Sequence, residues 1–563
     1  MTQLEEIIRK HALKNAFDYG KAQPGGIAGK VVAEFPDAKK DMKATLELIG
    51  KIAAEVNALP KEKVGAELAR YEFVKKEEGP KRWELPGAAE GKVVTRFLPE
   101  PNGHPHIGHA KAALLSYEFA RQWGGKCILR FDDTNPEKEE KQYVGAIREA
   151  ISWLGLKFAR ESYSSDMMPE FYRQAEKLIR QGDAYACNCK REEMSRNRME
   201  GKECACRGRD ADVSLSIWKR MLKDEFAEEA YTIRLKGDMK SLNTVMRDPT
   251  LFRICKTPHY KQGKKYAVWP TYDFEVSIAD SIDGVTHALR SKEYELRDEL
   301  YYEIPKRCGF KPPYIYDFSR LEIKGTVLSK RFLKPLIEEG KVMGWDDPRL
   351  PTLLGLKRRG IPPEAIRSFV LQFGLSKVES EPGWDALLSE AKRLLEPSAE
   401  HYYFVPNPVK VAVKGATGAT VKLKKLHAPD SPVREIKTTS TFYIPKSDAD
   451  AIAKGETIRL KDLCNIRITG KGLGDITADF AGNESIEAKK IQWVSEPNIG
   501  VSVAVLGDLF SGESFNPESL KWEMGLAEPS VGKLPEGAIV QFERYGFCRL
   551  DDKKRMKFIL SFR

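Results

Sequence analysis

Apolar residues at helical spacing open the chain. Leu4, Ile7, Ile8, Ala12, Ala16 and Phe17 recur three and four residues apart, and Gly20 supplies a stop. Leu46, Leu48, Ile49, Ile52, Val56 and Leu59 mark a second apolar face, broken by Pro60. The run Lys75-Lys76-Glu77-Glu78-Gly79-Pro80-Lys81-Arg82 is charged, carries Gly and Pro, and reads as a linker. A helical extension and linker are therefore expected over 1–90.

From about residue 91 the pattern changes. Val93 to Phe97 predicts a strand, 110–123 a helix, Lys126 to Phe131 a second strand and 139–154 a second helix. Strands separated by helices of this length imply βαβ units and a parallel sheet. Residues 183–262 interrupt the alternation. It resumes near Trp269-Pro270-Thr271-Tyr272-Asp273-Phe274 and runs to about 335, so one sheet-forming domain is split into 91–182 and 263–335. Residues 336–400 are helical again. After Pro406, Val409, Val411 and Val413 alternate, and short apolar segments separated by Gly, Asp and Asn predict β-barrels or sandwiches over 401–563. The expected class is multidomain α/β.

Size and composition agree with this. A chain of 563 residues, 41% hydrophobic and 31% charged, is a globular protein of several domains. Its net charge of +11 suits a nucleic-acid partner and equally a solvated surface. No run of eighteen apolar residues exists, so no membrane span is expected, and the start Met1-Thr2-Gln3-Leu4-Glu5-Glu6 lacks the basic and apolar parts of a signal peptide. Nine cysteines, an odd count with one tight cluster, predict a reducing, cytoplasmic setting rather than a disulfide framework.

Chemistry concentrates in five places. Pro101-Asn102-Gly103-His104-Pro105-His106-Ile107-Gly108-His109 follows a strand and opens a helix. Free N–H groups and the dipole at a helix start suit phosphate. Gly103 and Gly108 are expected to let a ligand approach the backbone. His106 and His109 are expected to add donors that titrate near neutral pH; a structural or surface-exposed pair is the alternative. Val327-Leu328-Ser329-Lys330-Arg331 is a basic turn in which Lys330 can follow phosphate charge, or simply a solvated loop. Asp132 can receive an ammonium group and Asp133 can cap the next helix; capping is an alternative for both. Arg290, ending Thr286-His287-Ala288-Leu289-Arg290, needs an anion, either a ligand or an internal salt-bridge partner. Finally, Cys187-Asn188-Cys189 and Cys204-Ala205-Cys206 can hold structural Zn²⁺ or remain free thiols.

Three of these motifs, in order, carry a resemblance. Arg96-Phe97-Leu98-Pro99-Glu100-Pro101-Asn102-Gly103 running into His106-Ile107-Gly108-His109 resembles the first signature of class I aminoacyl-tRNA synthetases, in the glutamyl/glutaminyl branch. Arg130-Phe131-Asp132-Asp133-Thr134-Asn135-Pro136 is similar to that branch's second block, and Val327 to Arg331 to the family's K-M-S-K-S loop. Trp345-Asp346-Asp347-Pro348-Arg349 resembles the helical region after the catalytic domain. Lys490-Ile491-Gln492-Trp493-Val494 and Gln541-Phe542-Glu543-Arg544-Tyr545-Gly546 resemble segments of paired anticodon-reading β-barrels, which points to the archaeal/eukaryotic glutamyl type.

The resemblance implies a Rossmann-type catalytic domain split by a tRNA acceptor-binding insertion, then a helical stem-contact domain and C-terminal β-barrels. It implies ATP-dependent activation of glutamate, with Mg²⁺, and transfer to the 3′-terminal adenosine of tRNA(Glu), with tRNA(Gln) as a further candidate. His106, His109 and Lys330 would be catalytic. Gly108, Arg320, Leu321 and Ser329 would join them in binding ATP. Arg96, Leu98, Glu100, Asp132, Tyr272 and Arg290 would bind glutamate. An arginine at the position of Arg290 marks the glutamyl branch, where the glutaminyl branch has cysteine; a γ-carboxylate wants a guanidinium. Val327 stands where the loop's first lysine is found, leaving Lys330 as its charge, and Val276 where relatives often carry a polar group. The alternatives are a glutaminyl ligase, or a non-catalytic tRNA-binding protein that kept the fold. The N-terminal helices would bind a protein partner or simply pack.

Overall fold

The computed structural model describes residues 2–68, 70–71, 83–326, 330–428, 430–472, 474–512 and 514–563. The linker expected at 75–82 lies outside the described residues. The chain forms two compact units, Met1–Arg82 and Trp83–Arg563.

The first unit is helical: Gln3–Tyr19, Pro24–Glu34, Met42–Asn57 and Lys61–Leu68. Thr2 and Glu5 close a capping box at its start, and Gly20 ends the first helix at φ 79°. Ile8, Ala12, Leu13, Ile27, Val31, Ile49 and Val56 form its core. Phe17 and Leu46 are exposed despite their apolar spacing. In the Met42–Asn57 helix the buried stripe runs Thr45, Ile49, Ile52, Ala53, Val56, and Leu46 lies about 100° round from Thr45.

The second unit is built on parallel strands. Val94–Phe97, Lys126–Phe131 and Glu161–Tyr163 pair in that order, with Val94 opposite Lys126 and Leu129 opposite Glu161. His287–Ser291 and Tyr314–Phe318 form a second parallel pair. Thr286 N donates to Val94 O at 2.8 Å, which sets this pair against Val94–Phe97. Helix Ile107–Gln122 buries Ile107, Ala110, Leu114, Leu115 and Phe119. Within each set the strands run parallel, and ligands in such sheets bind at the carboxyl edge.

Between the two halves lies an antiparallel sheet of Ala184–Cys187, Thr232–Leu235, Thr250–Ile254 and Val268–Pro270, packed around Trp218, Phe252 and Trp269. Trp269 and Pro270 thus belong to this sheet and not to the parallel one: they pair with Arg253 and Phe252. The αβ alternation restarts with helix Tyr272–Ile282. Helices Leu353–Arg359, Pro363–Phe373 and Trp384–Leu395 follow.

The remainder forms two seven-stranded mixed sheets. In one, Pro408–Lys414 lies between Thr441–Pro445 and Asp475–Phe480; in the other, Ile499–Leu506 lies between Leu520–Ala527 and Lys557–Phe562. Glu400–Tyr402 and Phe404–Pro406 take the two edges of the second sheet, so the chain contributes to that sheet before it builds the first. Among the described residues no helix is long and apolar enough to cross a membrane.

Candidate active site

His106 stands at the sheet's carboxyl edge as the extended N-cap of helix Ile107–Gln122. Its Nδ1 accepts from Gly108 N at 3.1 Å, and His109 Nδ1 accepts from His106 N at 3.2 Å. With both Nδ1 atoms occupied as acceptors, each neutral ring carries its proton on Nε2. The ring centroids are 4.0 Å apart. Burial pushes His106 well below the usual imidazole range, with His109 and Arg320 adding repulsion, and burial alone brings His109 down to about 4. The expectation of titration near neutral pH is therefore corrected: both rings are fixed neutral donors, because burial disfavours the charged ring. At Gly108 a Cβ would lie 2.9 Å from His106 Cε1, so the glycine makes room for the His106 ring.

A cavity of about 460 Å³ is lined by Glu100, Asp132, Asn135, Glu139, Arg253 and Tyr272 among others. Burial raises the Asp132 carboxyl well above its usual range, and Glu275, Glu139 and Glu100 raise it further. Such a surplus of buried carboxylates calls for a cation. Behind Tyr272, whose ring lies 4.9 Å from that of Tyr294, are two buried arginines. The Arg290 guanidinium lies over Tyr301 at 4.9 Å and Tyr294 at 5.3 Å and donates from Nη1 to Asp298 at 3.1 Å. Its buried Nε makes no hydrogen bond. Arg290 thus has the internal salt bridge and still a donor to spare. Arg96 donates from Nε to both Asp280 oxygens at 3.0 and 3.1 Å and from Nη1 to Leu289 O at 2.9 Å. Leu98 and Tyr272 pack against buried Val276, Ala288 and Tyr301, so Val276 is core.

A strand-turn-helix histidine site on a split parallel sheet is now joined by direct similarity. The family model for the catalytic domain of class I tRNA synthetases (E and Q) matches residues 92–393, and the family's anticodon-binding domain models match 399–481 and 490–551. The chain belongs to the class I tRNA synthetases (E and Q). It is similar over its whole length to proteins named glutamate–tRNA ligase. That of Nitrosopumilus maritimus is 43% identical over 99% of each chain. That of Korarchaeum cryptofilum is 39% identical over 100% of each. That of Pyrococcus abyssi is 39% identical over 98% of this chain and 97% of its own.

Other residues singled out in this synthetase are placed as follows. Leu321 is buried, and its carbonyl lies 3.8 Å from where a Gly108 Cβ would be, beside the histidine turn. Arg320 is forked onto Glu293 at the surface. Ser329 lies outside the described residues, as does the side chain of Lys330, which opens helix Lys330–Glu338. The four sulfurs of Cys187, Cys189, Cys204 and Cys206 all lie within 4.8 Å of one another, apart from the cavity, with Cys189 and Cys206 3.7 Å apart. Tetrahedral Zn²⁺ at about 2.3 Å from each thiolate sets sulfurs about 3.8 Å apart, so the donor set fits.

Asp133 is not a helix cap. The next helix, Lys141–Trp153, has Glu140 at its N-cap position with no side-chain capping bond, and the Asp133 side chain is buried, accepting from Ser165 N and Oγ at 2.8 Å each and from Tyr260 OH at 2.9 Å. Sequence reasoning also missed the buried charges beneath the site. Arg130 donates to Asp280 at 2.6 Å and Asp283 at 2.7 Å, and Tyr301 OH donates to Asp280 at 2.6 Å. Burial pushes the Asp280 carboxyl up, and Arg96 and Arg130 more than offset this, holding it below the usual range. Lys111, buried one turn along the helix, donates from Nζ to Ser319 Oγ at 3.0 Å and so ties the helix to the segment carrying Arg320 and Leu321. The one sequence signal for these residues was charge inside otherwise apolar strands and helices.

Proposed function

We propose that this synthetase is a glutamate–tRNA ligase in which Arg290 selects the amino acid. The observation that carries the reading is the buried Arg290 guanidinium with its unpaired Nε, close to Tyr272, a residue of the cavity that Asp132 also lines. A carboxylate on the substrate side chain satisfies that donor, whereas a neutral amide leaves buried charge short of a partner. In this reading Asp132 receives the α-ammonium group and its protonation is suppressed by that cation. Tyr272, Leu98 and Glu100 shape the pocket, and Arg96, held rigid by Asp280, adds positive potential.

Activation then needs little covalent chemistry from the protein. A glutamate α-carboxylate oxygen attacks the ATP α-phosphorus, the bond to the bridging oxygen breaks, and pyrophosphate leaves. His106 and His109 donate from Nε2 to phosphate oxygens without taking or losing a proton. The helix start at Gly108 and the chain at Arg320, Leu321 and Ser329 hold the nucleotide, and Lys330 follows the charge on the leaving group. These are positioning and electrostatic contributions. Mg²⁺ bound with ATP would neutralise phosphate charge. A ribose hydroxyl of the terminal tRNA adenosine next attacks the glutamyl carbonyl, and AMP leaves. The four cysteines would hold a structural Zn²⁺, with no open position for chemistry.

The test is ATP–pyrophosphate exchange with glutamate and with glutamine, each with and without total tRNA. Exchange with glutamate in the presence of tRNA is the expected result, and exchange with glutamine would overturn the Arg290 assignment. Separate charging of tRNA(Glu) and tRNA(Gln) then defines the acceptor range.

A further inference from the structure

We infer that His259 and Tyr260 are positioning residues for the Asp132 end of the glutamate pocket, reaching it from the inserted antiparallel sheet. The inference rests on the glutamate reading given above. Residues 259–263 form a tight turn between strands Thr250–Ile254 and Val268–Pro270, with His259 N bonded to Gly263 O at 2.9 Å and Gly263 N to His259 O at 2.8 Å. This turn grips the Asp132-Asp133-Thr134-Asn135 segment at two points.

The first grip is on Asp133. Tyr260 OH donates to Asp133 Oδ2 at 2.9 Å, beside the two donors of Ser165. Asp132 and Asp133 are adjacent, so anchoring Asp133 in the interior orients Asp132 toward the cavity. The second grip is on Glu139. His259 Nδ1 accepts from Lys261 N at 3.2 Å and Gln262 N at 3.0 Å, which places the ring proton on Nε2. That Nε2 is buried and faces Glu139 Oε2 at 3.4 Å, with Asp133 Oδ2 at 3.8 Å. Both His259 Nε2 and Glu139 Oε2 are buried without a completed hydrogen bond. The ring also interacts with the Asp133 backbone, so it faces both ends of this segment, and buried polar atoms of this kind are costly unless they are paired. Glu139 in turn accepts from Asn135 N at 2.7 Å, and Asn135 Oδ1 accepts from Arg253 Nη2 at 2.8 Å. Asp132, Asn135, Glu139 and Arg253 all line the cavity. The turn therefore holds one wall of the pocket without touching the substrate.

Two variants isolate the two grips. Tyr260→Phe removes one hydroxyl. His259→Asn keeps an acceptor for the turn's N–H groups, as asparagine does in such turns, and removes the Nε2 donor. In pyrophosphate exchange with tRNA present, Tyr260→Phe is expected to raise the KM for glutamate about fivefold to tenfold, the loss of one hydrogen bond to a buried carboxylate, and His259→Asn about twofold to threefold, the loss of a close buried polar contact. The KM for ATP should stay close to wild type and the melting temperature should fall by a few degrees at most. A lowered kcat and melting temperature with both KM values unchanged would mean a purely structural role and overturn the inference, as would unchanged kinetics. Wild-type protein that exchanges no pyrophosphate with glutamate would instead fail the underlying reading.

Discussion

Arg290 derives its proposed selectivity from a deficit. Two tyrosine faces and Asp298 hold the guanidinium in place, and one buried N–H is left over. Replacing it, Arg290→Met, is expected to cut kcat/KM for glutamate by roughly a hundredfold, about 3 kcal/mol for a desolvated charge pair, as read by pyrophosphate exchange. The fold should tolerate the change. Asp298 is already pushed up to about 7 by burial and by Asp317, so it can take a proton when its partner goes. His109 makes a second prediction, from its pKa. Its folded value is about 4, against 6.5 for the exposed ring. Between those values the unfolded chain binds a proton that the folded chain does not, so stability falls as pH drops from about 6.5 to about 4. In His109→Gln this loss is absent, and wild type should lose up to about 3 kcal/mol relative to that variant over the window. Denaturant unfolding of both proteins across the pH series measures the difference. The raised carboxyls Asp133 and Glu139, at about 7 and 8, act in the opposite sense but equally in both proteins.

At the scale of elements, the helix Ile107–Gln122 shows how much a local motif determines. His106, Gly108 and His109 form a capping box from residues within one turn, and short range made it legible as a strand-turn-helix site. What sequence could not supply was the use of Gly108, because the ring that fills its space depends on side-chain rotation. Gly108→Ala is expected to displace the His106 ring and lower exchange activity about a hundredfold, the scale of losing one oriented donor, with helix content unchanged by circular dichroism. The cysteine cluster is a second local element. Elemental analysis should find one zinc per chain, and Cys206→Ser should lower both zinc content and melting temperature. Asp133 shows the limit of local reading. Aspartate before a helical pattern suggests a cap, yet its partners Ser165 and Tyr260 come from elsewhere in the chain.

For the molecule as a whole, the order of elements in sequence is not their order in space. Glu400–Tyr402 and Phe404–Pro406 edge a sheet whose interior is completed by 499–562, with another seven-stranded sheet built in between. Period-two patterning marked these segments as strands but carries no information on which strand pairs with which. Net charge acts at this scale too. With +11 on the chain, KM for tRNA should rise at least about tenfold between about 50 and 200 mM KCl, while KM for glutamate moves little, since counterion release belongs to the polyanion. A flat salt response in aminoacylation assays would argue against a basic tRNA-binding surface.

By itself, the sequence determined what depends on near neighbours: the helical start, the alternation from residue 91, its interruption, the histidine turn, the paired cysteines and the β-rich end. Hydrophobic period and capping act over a few residues, so they can be read directly. Only the tertiary structure decided which buried charges are satisfied. It paired Arg96 and Arg130 with Asp280, left Arg290 with a spare donor, turned Asp133 inward, and brought His259 and Tyr260 to the wall that holds Asp132. The cost of a buried polar group depends on what faces it across the fold, and that is not written in any local window.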